Sequence, residues 1–315
     1  MSIFVDDLII SAEETEAKKV RKMLMSEFKM RDLGNLSWIL GIRVERNKEK
    51  IELSQQAYIN TILEKFGMEN SKPTSTPLPF KWDNNVTDAT APFENIKLYQ
   101  QIVGSLIYLS NKTRPDISFA VGLLARHMSK PTKHDYDLSK RVMRYFNGTR
   151  ELKLTYNKIE PIAGFSDASY AEDKIDRKST SGYVFMMNGG AISWRSVKQR
   201  IVTLSSMESE YVALTDAAKE GLFLKQLINE QQPNNNDKPI LIYEDNQSAI
   251  KTSQNRIHNS RSKHIDVRHH FIREQVERKQ IKLEYIPTTD QIADIFTKSL
   301  GFILHAKHTR NLGLM

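Results

Sequence analysis

The hydrophobic positions change period along the chain, and the changes outline its elements. Ile3, Phe4 and Val5, then Leu8, Ile9 and Ile10, form two short apolar runs separated by Asp6 and Asp7. Such runs around an acidic pair predict a β-hairpin with both carboxylates at its tip. From Ala12 to Met30, the spacing of Val20, Leu24 and Phe28 by four predicts an amphipathic helix with Lys18, Lys19, Arg21 and Lys22 on its other faces. WILGIRVER and KIELSQ flank a polar turn and predict a second hairpin, and QQAYINTILEKFGM predicts a helix. Between Asn70 and Ile96, proline, serine, threonine and asparagine occur without a period, which predicts an extended connector.

Three helical segments follow. Tyr99 to Asn111 carries Ile102, Val103, Leu106 and Leu109; Asp116 is placed to cap a helix bearing Ile117, Ala120, Val121 and Leu124; Lys133 to Phe146 carries Leu138, Val142 and Met143 and ends at Gly148. On their polar faces, Lys140, Arg141 and Arg144, with Lys130 and Lys133, form either a stripe that tracks phosphates or an ordinary solvated face. His127 ends an apolar face and reads as packing. From Ala163 the pattern turns to strands: AGFSDASYA, SGYVFMMNGGAISWRS and QRIVTLS predict three in succession. A helix from Met207 to Asn229, a buried strand PILIYEDN, a helix from His269 to Lys279, a strand IKLEYIP and a helix from Asp290 to Leu300 complete a βββαβαβα order. That order predicts an α/β domain with a mixed sheet containing parallel pairs.

Composition narrows the classes. A chain of 315 residues has room for two or three domains. No apolar run is long enough to span a bilayer, and MSIFVDD lacks the basic-then-apolar layout of a signal peptide, so a cytoplasmic or nuclear location is expected and no membrane partner. The absence of cysteine excludes a disulfide framework and a thiolate zinc site. A net charge of +8 and a pI near 9.3 favour a polyanionic partner.

Ligand and metal sites of α/β sheets collect at strand ends and adjoining helix starts. Acids stand at such points four times: Asp167 in GFSDASYA, a glutamate in SSMESEYVAL, Asp245 at the end of LIYEDNQSAI, and Asp294 in TTDQIADIFTK. Four acids at element ends suit two hard cations, as two-metal phosphodiester hydrolysis requires.

The run GFSDASYAEDKIDRKSTSGYVF, SSMESEYVALTDAAKEGLFLK, IYEDNQSAI, SKHIDVRHHFIREQV and LEYIPTTDQIADIFTKSL resembles the ribonuclease H domain of copia-type LTR retrotransposon Pol polyproteins. Upstream, IFVDDLIISA, MRDLGNLSWILGIRVER, LSQQAYINTILEKFGM, PTSTPL and GSLIYLSNKTRPDISFAVGLLARHM resemble the same polyprotein's reverse transcriptase, from catalytic hairpin through primer grip, thumb and connection. The resemblance implies a ribonuclease H-like mixed sheet flanked by helices over 161–300, preceded by an incomplete palm with primer grip over 1–70 and by linker and thumb/connection-like helices over 71–160, with 301–315 as a tail. It also implies that Asp167, Asp245 and Asp294 are metal-binding acids. Glu208 and Glu210 lie two apart, about 200° around a helix, so both cannot face one site. Glu210-Tyr-Val-Ala-Leu matches the family pattern better, which makes Glu210 the fourth ligand and leaves Glu208 to the helix N-terminus.

The implied function is Mg2+-dependent cleavage, with two ions and Mn2+ as an alternative, of the RNA strand of RNA–DNA hybrids. A catalytically inactive, nucleic-acid-binding remnant is the alternative reading. Where the family pattern reads Asp-Ser-Asp-Trp, this chain has Asp167-Ala-Ser169-Tyr170. Where several cellular ribonucleases H carry a loop histidine, it has Ile286-Pro-Thr, so His264 becomes the histidine candidate for approaching substrate. In reverse transcriptases the first hairpin supplies a metal-binding aspartate, here Asp6 beside Asp7. Its partner acid lies on a palm strand that the chain does not contain, so polymerase activity is expected to be lost and the first seventy residues to be the least stable part. Oligomeric state is not legible.

Overall fold

A computed structural model of the chain describes residues 1–81, 91–231, 238–254 and 266–315, and of residues 266, 267 and 269 the backbone only. Strands β1 (Ser2–Phe4) and β2 (Asp7–Ile9) form an isolated antiparallel ribbon, with Phe4 paired to Asp7. Helix α1 (Glu14–Glu27) buries no residue, and Ile3, Phe4, Val5, Met23 and Phe28 are exposed. The chain joins a core only beyond this point. Strands β3 (Trp38–Ile39), β4 (Ile42–Arg46) and β5 (Ile51–Ser54) form a meander, and helix α2 (Gln56–Lys65) sinks Ile59, Ile62 and Leu63 into a helical core. Helices α3 (Ile96–Ser110), α4 (Ser118–Ala125) and α5 (Lys133–Thr149) supply the rest of that core through Tyr99, Leu106, Phe119, Val142 and Phe146.

Two local readings change here. Asp116 does not cap α4: it lies in a short 3₁₀ turn, Pro115–Ile117, and its carboxylate takes hydrogen bonds from Arg114 and Tyr145 instead. With that carboxylate turned to Arg114 and Tyr145, α4 starts from Ile117 at its N-cap position, without a side-chain cap. Helix α5 runs through Gly148 to Thr149; a capping box between Thr132 and Asp135 secures its start, and its buried residues end at Phe146.

Strand β6 (Leu154–Tyr156), not anticipated from the pattern, pairs with β5 and closes a four-stranded sheet β3-β4-β5-β6. The second sheet holds β7 (Ala163–Ser169), β8 (Thr180–Met187), β9 (Gly190–Lys198), β10 (Ile240–Glu244) and β11 (Ile281–Tyr285) in the order β11-β10-β7-β8-β9. Pairs β7–β8 and β8–β9 are antiparallel, while β7–β10 and β10–β11 are parallel. Helix α6 (Ser206–Gln231), with α7 (Gln247–Gln254) and α8 (Asp266–Glu277), packs on the face carrying Tyr183, Phe185, Ile240 and Ile242. This is a mixed α/β sheet with flanking helices, containing the parallel pairs that the strand and helix order predicts.

The three-strand reading of its first half needs correction. SGYVFMMNGGAISWRS is itself a hairpin, because Asn188 (φ 53°) and Gly189 (φ 84°) turn the chain between β8 and β9; QRIVTLS, 199–205, is not a strand. The helix read at Asp290 to Leu300 is two 3₁₀ turns, Thr288–Asp290 and Ile292–Phe296, and the last fifteen residues are no loose tail but include helix α9 (Phe302–Asn311). Leu312 and Leu314 enter the core on the other face of the second sheet, beside Phe165, Val184 and Phe296. Backbone hydrogen bonds tie this end to β6, from Thr155 N to Gly313 O at 2.8 Å and from Lys153 N to Met315 O at 2.8 Å.

Helix α9 carries a buried imidazole. His308 is 1% exposed, with Nδ1 unpartnered, and burial pushes its pKa down to about 4. The folded state therefore binds its proton more weakly than the unfolded chain, whose imidazole titrates near 6.5. The resulting penalty is absent at pH 7 and grows as pH falls from about 6.5 to about 4, reaching about 3 kcal/mol. Urea unfolding of the wild type and of His308→Leu should show a stability difference that shifts in favour of the variant across this window. A difference independent of pH would refute the assignment.

Candidate metal centre

The parallel register of β7 and β10 builds the site. Ser166 lies opposite Glu244, so Asp167, two residues before the end of β7, and Asp245, directly after β10, follow side by side. Asp167 leaves the face that carries Phe165, whereas Glu210 comes from α6 over the opposite face. The two meet at the end of the sheet. Asp167, Glu210 and Asp245 each offer a carboxylate oxygen, and these atoms lie within 4.8 Å of one another.

Asp294 reaches the same region from the Ile292–Phe296 turn. The approach depends on Gly182, which pairs directly with Asp167 across β7 and β8. A Cβ there would lie 2.7 Å from Phe296 Cβ and from Thr297 Cγ2, so only glycine lets the turn lie on the sheet. Thr297 Oγ1 donates to Asp167 Oδ2, and Lys298 Nζ lies 3.2 Å from Asp167 Oδ1 and 2.8 Å from Asp294 Oδ1. Thr288 Oγ1 donates to Asp245 Oδ2 at 2.7 Å.

Concentrated carboxylates in a poorly hydrated place resist ionisation. Burial, and then the charges of Asp167, Glu244 and Asp245, raise the Glu210 carboxyl well above its ordinary value. Burial and Asp167 push Asp294 up to about 7. Glu244, fully buried directly before Asp245, is likewise raised by burial against the hydrogen bond from Asn246 N. Lys298 moves the other way: burial opposes its charge, and Asp167 and Asp294 outweigh that and raise its pKa. Glu210 Oε2 and Glu244 Oε2 are buried without a hydrogen-bond partner. A buried, unsatisfied carboxylate oxygen is costly unless something else compensates it. Oxygen donors converging on one point suit a hard divalent cation such as Mg2+ or Mn2+.

The other candidates lie elsewhere. Glu208 does not face this cluster: its carboxylate accepts a hydrogen bond from Leu204 N at 2.7 Å, holding the chain where it enters α6. Asp6 and Asp7 are exposed on the β1–β2 ribbon, and among the described residues no third histidine or acid completes a ligand group with them. Arg141 donates to Thr76 Oγ1 at 3.2 Å and Arg144 to Lys72 O at 2.7 Å, so both hold the connector against α5; Lys140 pairs with Asp137 and lies over the Tyr136 ring. His264 lies outside the described residues.

Sequence reasoning missed Lys298, Thr297, Thr288 and Glu244. Lys298 follows Asp294 by four, a spacing that signals an ion pair on a helix. Glu244 carries no signal, since an acid next to a ligand acid reads as solvated.

Residues 1–79 match the family model described as reverse transcriptase (RNA-dependent DNA polymerase). The chain is 40% identical, over 94% of its length, to the retrovirus-related Pol polyprotein from transposon TNT 1-94 of Nicotiana tabacum, of which it spans 23%. It is 31% identical to a Saccharomyces cerevisiae protein ascribed to transposon Ty5-1, over 70% of this chain and 73% of that protein. Among solved structures, the ribonuclease H1 LC11 in complex with RNA/DNA hybrid superposes at a TM-score of 0.33 with 15% identity, covering 44% of this chain and 94% of that one. The chain thus spans about a quarter of the TNT 1-94 polyprotein that it matches nearly end to end.

Proposed function

The chain belongs to the copia-type retrotransposon Pol polyproteins, and from that premise we propose that residues 161–300 are a ribonuclease H that cleaves the RNA strand of RNA–DNA hybrids. The observation that carries the reading is the convergence of Asp167, Glu210 and Asp245 within 4.8 Å, with one oxygen of Glu210 buried and unpartnered. A set of carboxylates alone is a poor acid–base pair for phosphodiester hydrolysis, because every member repels the phosphate. The same set holding Mg2+ reverses that field.

Asp167, Glu210, Asp245 and Asp294 would hold the ions, which when bound supply an activated water and charge stabilisation at the leaving 3′ oxygen. The rest is work by the protein's own residues. Asp167 stands between the two halves of the cluster and is held by Thr297; Thr288 fixes the Asp245 carboxylate; Gly182 admits the turn that brings Asp294 near. Residues 1–160 read as the polymerase-derived part, in palm, primer grip, thumb and connection-like segments. Asp6 and Asp7 lack further ligands among the described residues, so the 315-residue chain alone is expected to incorporate no deoxynucleotide on a primed template. Measurable primer extension would show this wrong.

The deciding experiment is Mg2+-dependent cleavage of a labelled RNA–DNA hybrid by the purified chain, with single-stranded RNA and duplex DNA as controls. Binding of hybrid without cleavage, at any Mg2+ or Mn2+ concentration, would favour a catalytically silent binding protein instead.

A further inference from the structure

The four acids are not equivalent. Asp167, Glu210 and Asp245 offer oxygens to one another's neighbourhood, whereas Asp294 is engaged by the ammonium of Lys298 at 2.8 Å, and that ammonium also reaches Asp167 Oδ1 at 3.2 Å. Lys298 Nζ therefore lies between Asp167 and Asp294, where a divalent ion shared by these two carboxylates would have to lie. An ammonium is a compact point charge on a flexible four-carbon stem, the side chain best suited to occupy such a place and to leave it.

We propose that Lys298 is a built-in competitor for the second metal position: it occupies the Asp167–Asp294 side of the centre while the Asp167–Glu210–Asp245 side takes the first ion, and it must swing out before a second ion binds. The proposal rests on the reading of these acids as a metal centre and adds to it an order of loading.

The surroundings fit an exchange. The Lys298 side chain is 36% exposed, so its stem can turn to solvent without opening the core. The adjacent Thr297 is fully buried and hydrogen-bonded to Asp167, which keeps the backbone in place while the lysine moves. No arrangement near both carboxylates accommodates the ammonium and a divalent ion together, since like charges a few ångströms apart repel strongly in a half-buried site. The lysine also gives two of the acids a counter-charge before any metal arrives, which lets the centre fold around negative groups.

The test is Mn2+ binding to the full chain without nucleic acid, by calorimetry and by electron paramagnetic resonance of free Mn2+, at one pH and ionic strength. The wild type is expected to bind two ions with unequal affinity. Lys298→Met should leave the tighter ion unchanged and tighten the weaker one at least about tenfold, since a nearby positive charge is removed. Lys298→Arg should keep the weaker ion weak. If Lys298→Met does not fold without metal, Lys298→Gln carries the same expectation. A second-ion affinity that is unchanged or weaker in both neutral variants overturns the proposal while leaving the metal centre intact. Binding by the wild type no tighter than by Glu210→Gln removes the metal centre itself, and the proposal with it.

Discussion

Asp167→Asn, Asp245→Asn and Glu210→Gln are each expected to reduce hybrid cleavage by at least about 1,000-fold, roughly 4 kcal/mol of transition-state stabilisation, with the fold retained. Each change keeps the size of the side chain and removes a charge that a divalent cation needs. Because burial and the charges of Asp167, Glu244 and Asp245 already raise Glu210 well above its ordinary value, Glu210→Gln should leave apo stability unchanged or increase it. Loss of activity together with equal or higher urea resistance would separate a ligand role from a structural one. Glu208→Gln is the internal control. Its carboxylate holds Leu204 N and not the cluster, so it should cost about 1 kcal/mol of stability and leave cleavage within a few-fold of wild type. Thr288→Val should lie between, at about 10–100-fold, because it only orients Asp245. Cleavage that survives Glu210→Gln and dies with Glu208→Gln would overturn the ligand assignment.

The second large effect concerns stability. Arg114 and Asp116 are 0% and 2% exposed and form a two-pronged pair, Nε to Oδ1 at 2.9 Å and Nη2 to Oδ2 at 2.7 Å. The guanidinium also donates to Thr149 O at 3.0 Å and lies 4.7 Å over the Phe146 ring, and Tyr145 OH donates to Asp116 at 2.7 Å. The backbone O of Asp116 lies 3.2 Å from His305 Nε2 on α9, so this pair links the helical core to the C-terminal helix. Taking two charges out of water is costly, and the pair is held because all three guanidinium nitrogens and both carboxylate oxygens have hydrogen-bond partners. Arg114→Met leaves Asp116 charged and buried, and should cost about 3–5 kcal/mol. The double change Arg114→Met with Asp116→Leu removes both charges and should lose distinctly less than the sum of the two single changes. Urea midpoints for the four proteins give the answer, and a single-variant loss below about 1 kcal/mol would show that the pair is not the staple.

What the residues alone determined about this protein is what depends on near neighbours. The apolar pair runs around Asp6 and Asp7, the period-four stripe of α5 and the alternation in GFSDASYA each specify an element, because side-chain direction follows backbone period. Asp167, Asp245 and Asp294 could likewise be singled out before any coordinates, whereas the choice of Glu210 over Glu208 came from the resemblance to a family pattern. Tertiary structure decided everything that needed a distant partner. Strand β6 exists because β5 offers it an edge, and α9 because Leu312 and Leu314 have a core to enter. Asp116 became half of a buried ion pair instead of a cap because Arg114 lies beside it out of water. Arg141 and Arg144, which as residue types could serve phosphate, are engaged by the connector that folds back on α5. Most of all, the presence of Lys298 between Asp167 and Asp294 follows from a turn that lies on the sheet at Gly182, a contact 111 positions away from the glycine in the chain at Ala293. No local period encodes such a contact, because it depends on the space left by a missing side chain in another strand.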